Sequence, residues 1–115
     1  KLSDDKKKII KEFLDNAYLQ KIEPKAVVIY KRSALISSDE NKLRITVDKD
    51  FKAKKYENLF NRDGVIEILP GKCIVEVKFK NYIPLWLKEI SGAFQLEEYH
   101  GSKYCTSVEK CYNIN

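Results

Sequence analysis

The chain has 115 residues, 43% hydrophobic and 34% charged, with a formal charge of +5. That length and balance fit one folded domain with a modest core and exclude a disordered chain. The basic surplus, with a sequence pI near 9.0, points toward anionic partners without saying which anion.

Arg32, Arg44 and Arg62 are the only arginines among 22 basic residues, so nineteen are lysine and the arginine positions carry more information. No apolar run approaches the length of a membrane span, and no signal-peptide pattern is present. Cys73, Cys105 and Cys111 have no metal-knuckle spacing. They read as free, mostly buried thiols in a reducing compartment, hence a cytoplasmic protein. The chain starts at Lys1 and contains no methionine, which reads as a piece of a longer protein.

Residues 3–20 have the pattern of a helix. Ser3 is placed to cap it, Asp4 and Asp5 suit its positive end, and Ile9, Ile10, Phe13, Leu14, Ala17 and Tyr18 form a stripe at helical spacing. The run Lys6 to Lys8 reads as a solvated helical face. Pro24 ends the pattern. Residues 25–36 read as a strand with Val28, Tyr30, Arg32 and Ala34 on one face. After a polar turn at 37–41, residues 42–51 alternate, with Leu43, Ile45 and Val47 opposite Lys42, Arg44, Thr46 and Asp48. Together these predict an antiparallel hairpin.

Residues 52–64 read as a polar loop and 65–69 as a short strand. The stretch from Lys72 to Lys80 alternates again. Cys73, Val75, Val77 and Phe79 take one face, and Lys72, Ile74, Glu76, Lys78 and Lys80 the other. Residues 83–92 read as a short helix with Pro84 in its first turn, Leu85 and Trp86 in the core and Gly92 as its stop. Residues 101–112 read as a last helix capped by Ser102. The expected class is α+β, with an antiparallel sheet over 25–80 and a helical end over 83–112, in a single domain covering 1–115.

Three strands thus share one design, an apolar face and a face carrying cations. A solvated sheet face is the ordinary reading of any one of these residues. The concentration of Arg32, Arg44, Lys42, Lys72, Lys78 and Lys80 on like faces instead suits a polyanion. Guanidinium binds phosphate oxygens in bidentate fashion and lysine adds point charge. Glu76 among cations has two readings: a ligand for a hard divalent ion shared with phosphate, or a salt-bridge partner of Lys78 or Arg44. Lys103, after the capping Ser102, sits where backbone N–H groups attract anions. His100, the sole histidine, has no partner for a zinc site. No Ser/His/Asp arrangement or Walker loop is present.

"VVIYKRSAL", "LRITVDKDF", "IVEVKFKNYIPLWLKEI" and "GSKYC", in this order, resemble the VTC domain. This is the polyphosphate polymerase domain of the vacuolar transporter chaperone family, among the triphosphate tunnel metalloenzymes. The likeness runs from about Pro24 to about Cys105 and corresponds to the C-terminal half of that domain. It implies an antiparallel sheet forming half of a triphosphate-tunnel barrel. It also implies a role in passing the terminal phosphoryl group of ATP to a polyphosphate chain, with Mn2+ or Mg2+.

Carried over by motif, Arg32, Arg44, Lys78 and Tyr30 would contact phosphate, Arg44, Lys78 and Glu76 would serve catalysis, and Glu76 would hold the metal. Ser102 and Lys103 would bind phosphate at a tunnel mouth. Tyr30 and Asp48 would also face inward. The face assignment from alternation selects the same residues apart from Ser102, which it reads as a helix cap.

The N-terminal tunnel strands of the family are absent from this sequence. The resemblance therefore leaves two readings, part of a polymerase, or an inactive half-domain that only captures polyphosphate or another polyanion. The partners implied are polyphosphate and ATP, with a second copy or the remaining half of the tunnel against an open edge strand. Membrane association would come only through a parent protein. A nucleic-acid surface is the weakest reading, because aromatics do not interleave with the basic residues and Glu76 would repel a backbone phosphate.

Overall fold

The hairpin expected from residues 25–51 is the framework of the chain. The structure, a computed structural model, describes residues 1–114. It contains α1 (Asp4–Leu19), β1 (Ala26–Ile36), β2 (Arg44–Lys55), β3 (Ile66–Glu67), β4 (Cys73–Lys78), α2 (Leu85–Ala93) and α3 (Lys103–Tyr112). All strand pairs are antiparallel. β1 lies along one side of β2, while β4 and β3 pair with successive parts of its other side.

A β-bulge in β2 decides which side chains share a face. Ile29 pairs with Lys52, but Lys31 pairs with Lys49, so β2 carries one extra residue opposite Tyr30. Asp50 takes up the irregularity at φ 56, a left-handed conformation that Asp tolerates better than most residues. Its carboxylate receives Lys31 at 2.8 Å. Because side chains alternate, one inserted residue moves everything beyond it to the other face. Arg44, Thr46 and Asp48 therefore share a face with Phe51 and Ala53, although the numbering changes parity between them.

That shared face has two halves. Phe51, Ala53 and Ile68 are buried there, with Tyr30, Leu69, Ile74 and Cys111 packed against them. α3 covers this half, packing on β1 and β2. Tyr104 and Tyr112 fix the helix to the start of β1: the Lys25 N–H donates to the Tyr104 hydroxyl at 3.2 Å, and the Tyr112 hydroxyl donates to the Lys25 carbonyl at 3.1 Å. The other half carries the charged residues described below. At the hairpin end, buried Asn41 accepts N–H bonds from Asn81 and Tyr82 and donates to the Tyr82 carbonyl, holding the segment after β4 against the turn.

The α+β class, the antiparallel sheet and the helices at both ends agree with the sequence. Several details differ. β2 runs to Lys55, so residues 52–55 are strand rather than loop. The Lys54 side chain is buried, and its ammonium donates to the carbonyls of Asn58 (2.8 Å) and Asn61, which gives a buried cation the polar partners it needs. Among the described residues the sheet is open: β1 pairs only with β2, and no strand closes it into a barrel. Leu85 and Trp86 are exposed, not core, and so is the apolar stripe of α1, where Ile9 is 65% exposed. The cysteines are free, but Cys73 and Cys105 are exposed and only Cys111 is partly buried. Among the described residues no helix is long and apolar enough to cross a membrane.

Candidate phosphate-binding site

The pairing of β2 with β1 and β4 builds the site directly. Arg32 on β1 is opposite Asp48. On the other side of β2, Arg44 is opposite Lys78 and Thr46 is opposite Glu76. Directly opposed residues project from the same face, so Arg32, Arg44, Thr46, Glu76 and Lys78 line one pocket of about 50 Å³. That volume suits a phosphoryl group and is too small to enclose a nucleotide. A larger cleft of about 240 Å³, lined by Lys55, Glu57, Asp63, Gly64, Ile66 and Cys111, lacks converging cations and is not the site we assign.

Asp48 lies at the border between the charged and apolar halves and is fully buried. Arg32 grips it through two parallel bonds, Nε to Oδ1 at 2.6 Å and Nη2 to Oδ2 at 2.8 Å. Lys103 reaches Oδ2 from the first turn of α3 at 2.9 Å. The Arg32 guanidinium, with Lys103 beside it, holds the Asp48 carboxyl down at about 2 despite its burial. The same bond pushes the Arg32 guanidinium still further above its ordinary value. The Tyr30 ring lies 5.3 Å from the Arg32 guanidinium carbon and 5.6 Å from the Lys103 nitrogen, within cation–π range of both.

Glu76 accepts Lys78 at 3.0 Å and lies 3.9 Å from Arg32 Nη2. Its carboxyl is lowered, first by the bond from Lys78. Of the salt-bridge partners considered from the sequence, it pairs with Lys78. Arg44 makes no salt bridge among the described residues and is exposed at the rim. Ser102 is the N-cap of α3, its hydroxyl accepting from the Cys105 N–H at 3.3 Å. The described residues contain no cluster of three or more His, Cys, Asp or Glu suited to a metal. Glu76 is a carboxylate of the pocket wall and is paired with Lys78.

Two features escape a reading of strand alternation. One is the role of Asp48 as the junction of Arg32 and Lys103, which depends on where α3 lands. The other is Thr46, whose hydroxyl is buried on the pocket wall without a hydrogen-bond partner. Four cations, Arg32, Arg44, Lys78 and Lys103, face two carboxylates, Asp48 and Glu76, so the site keeps a surplus of two positive charges.

The sequence matches the VTC domain family over residues 1–112. The chain belongs to the VTC domain family. The match takes in α1 and the whole of α3, beyond the stretch whose motifs carry the resemblance. No curated protein and no solved structure matches the chain. Membership places this VTC domain chain in a polyphosphate polymerase family.

Proposed function

We propose that this VTC domain chain is the triphosphate- and polyphosphate-binding part of a metal-dependent polyphosphate polymerase, with its charged sheet face as one wall of a phosphate tunnel. The observation that carries this reading is the convergence of Arg32, Arg44, Lys78 and Lys103, from four different elements, on one side of the sheet. Such an array matches the oxygens of linked phosphoryl groups, with guanidinium groups gripping in pairs and ammonium groups adding charge.

In this account Arg44 at the open rim receives the entering phosphate. Arg32 and Lys103 hold the phosphoryl group deeper against Tyr30, and Lys78 neutralises charge beside Glu76. The free N–H donors of the first turn of α3, next to Lys103, favour the same anion; Ser102 shapes that turn as its cap. A divalent ion, Mn2+ or Mg2+, fits at Glu76 together with phosphate oxygens, where it would offset the negative charge of the transferring group. Phosphoryl transfer depends on positioning and charge stabilisation more than on covalent chemistry.

The open sheet favours a second reading, in which this chain captures polyphosphate without catalysing its growth. Phosphorus NMR of ATP, Mn2+ or Mg2+ and a short polyphosphate primer with the protein separates the two. Growth of internal-phosphate signal supports the polymerase reading. Primer binding without growth leaves capture alone, and neither binding nor growth rejects both.

A further inference from the structure

An acidic residue inside an anion site needs a reason. By Coulomb's law alone, Asp48 should weaken the binding of every phosphate that approaches Arg32 and Lys103. Yet it is fully buried and makes the two shortest ion pairs of the site, with Arg32 at 2.6 Å and with Lys103 at 2.9 Å. Arg32 comes from the middle of β1 and Lys103 from the start of α3, so nothing local keeps two like charges together. The carboxylate between them does, and the Tyr30 ring backs both.

The donor inventory is consistent with such a frame. Arg32 spends its Nε–H and one Nη2–H on Asp48, which leaves three of its five N–H donors. Lys103 spends one of three. Held in this way, the two side chains have already lost the rotamer freedom that an incoming anion would otherwise have to remove.

Resting on the reading that the pocket takes an oligophosphate, we infer that Asp48 is a positioning residue: its buried carboxylate fixes Arg32 and Lys103 side by side as one preformed clamp for a phosphoryl group, and it stays bound to them when the anion arrives. The opposite role is a competitor that the phosphate must displace. The two differ in sign. A competitor's removal tightens binding, and a frame's removal weakens it although the net charge becomes more positive.

The test titrates tripolyphosphate into the chain and into Asp48→Asn, following heat of binding and the Arg32 Nε–H by nitrogen-edited NMR. The expected result is binding weakened about tenfold in the variant, the scale of a lost charge-assisted contact, with loss of the slowly exchanging Nε–H signal. Equal or tighter binding by the variant overturns the role of Asp48 while leaving the phosphate reading intact. If Asp48→Asn does not fold, the unaltered chain decides. An Nε–H that stays protected at saturating tripolyphosphate supports the frame, and one that begins to exchange freely shows that Asp48 lets go and overturns it. Failure of the unaltered chain to bind tripolyphosphate at all rejects the phosphate reading, and the inference with it.

Discussion

The Lys103 ammonium lies 2.9 Å from the Asp48 carboxylate, joining the first turn of α3 to the middle of β2. This contact makes the site a product of tertiary packing. β2 supplies the buried anion, β1 supplies Arg32, and the helix that covers the apolar half of the same face delivers the second cation at its edge.

Acid stability reads this pair. Asp48 is held at about 2 in the folded chain against an ordinary 3.8. Between these values the unfolded chain binds the proton more readily, so stability falls with pH across that window. The contribution, about 2 kcal/mol, is complete above about pH 4 and is lost as the pH falls through about 2. Urea melts of the chain and of Asp48→Asn at several pH values should show the difference in stability shrinking on acidification. A difference constant with pH would contradict the ion-pair account.

Arg44→Ala should weaken tripolyphosphate binding by about 1.5–3 kcal/mol, the scale of a hydrogen bond to a charged group. The fold should be unaffected, since Arg44 is exposed and makes no salt bridge among the described residues. Calorimetric affinity and a thermal melt check the two halves of this statement, and unchanged affinity takes Arg44 out of the site.

Glu76→Gln should remove any strengthening of tripolyphosphate binding by Mn2+. Loss of the partly exposed pair with Lys78 should cost stability no more than about 1 kcal/mol. Manganese enhancement that survives the substitution would leave Glu76 as a salt-bridge partner only.

Ser102 serves the helix in the structure and the phosphate in the family resemblance. Ser102→Asp keeps a good N-cap but adds a negative charge. It should hold the melting temperature and weaken tripolyphosphate binding. Unchanged binding would mean that the residue is a cap and nothing more.

Phe51→Ala should cost about 3–5 kcal/mol by emptying the centre of a small core. It tests the bulge, because an unbroken alternation of β2 would put Phe51 on the face away from α3. Urea denaturation measures it; a loss below about 1 kcal/mol would show that Phe51 is not in that core.

The charged faces of β1 and β4 and the first half of β2 were legible, because alternation of period two separates Arg32, Arg44, Glu76 and Lys78 from their apolar neighbours without reference to distant residues. The rest of β2 was not. Leu43, Ile45, Val47, Phe51 and Ala53 are all odd-numbered, so the pattern runs smoothly through the bulge that in fact turns Phe51 and Ala53 to the opposite face. Lys52 to Lys55 look like loop because the carbonyls that satisfy Lys54 lie in a segment with no regular pattern. The amphipathic patterns of α1 and α2 forecast helices correctly, but amphipathicity does not name a partner, and both leave large apolar side chains exposed. Asp48 was legible as a member of the charged face of β2, whereas its contact with Lys103 is long-range and no local signal announces it.

The most direct measurement is calorimetric titration of the chain with tripolyphosphate, with and without Mn2+, at low and high salt. The account predicts one equivalent bound, more tightly with Mn2+, with much of the affinity surviving high salt because Arg32 and Lys103 are fixed in place by the buried Asp48. Weak binding that disappears with salt and ignores Mn2+ would contradict it, reducing the charged face of the sheet to a basic surface.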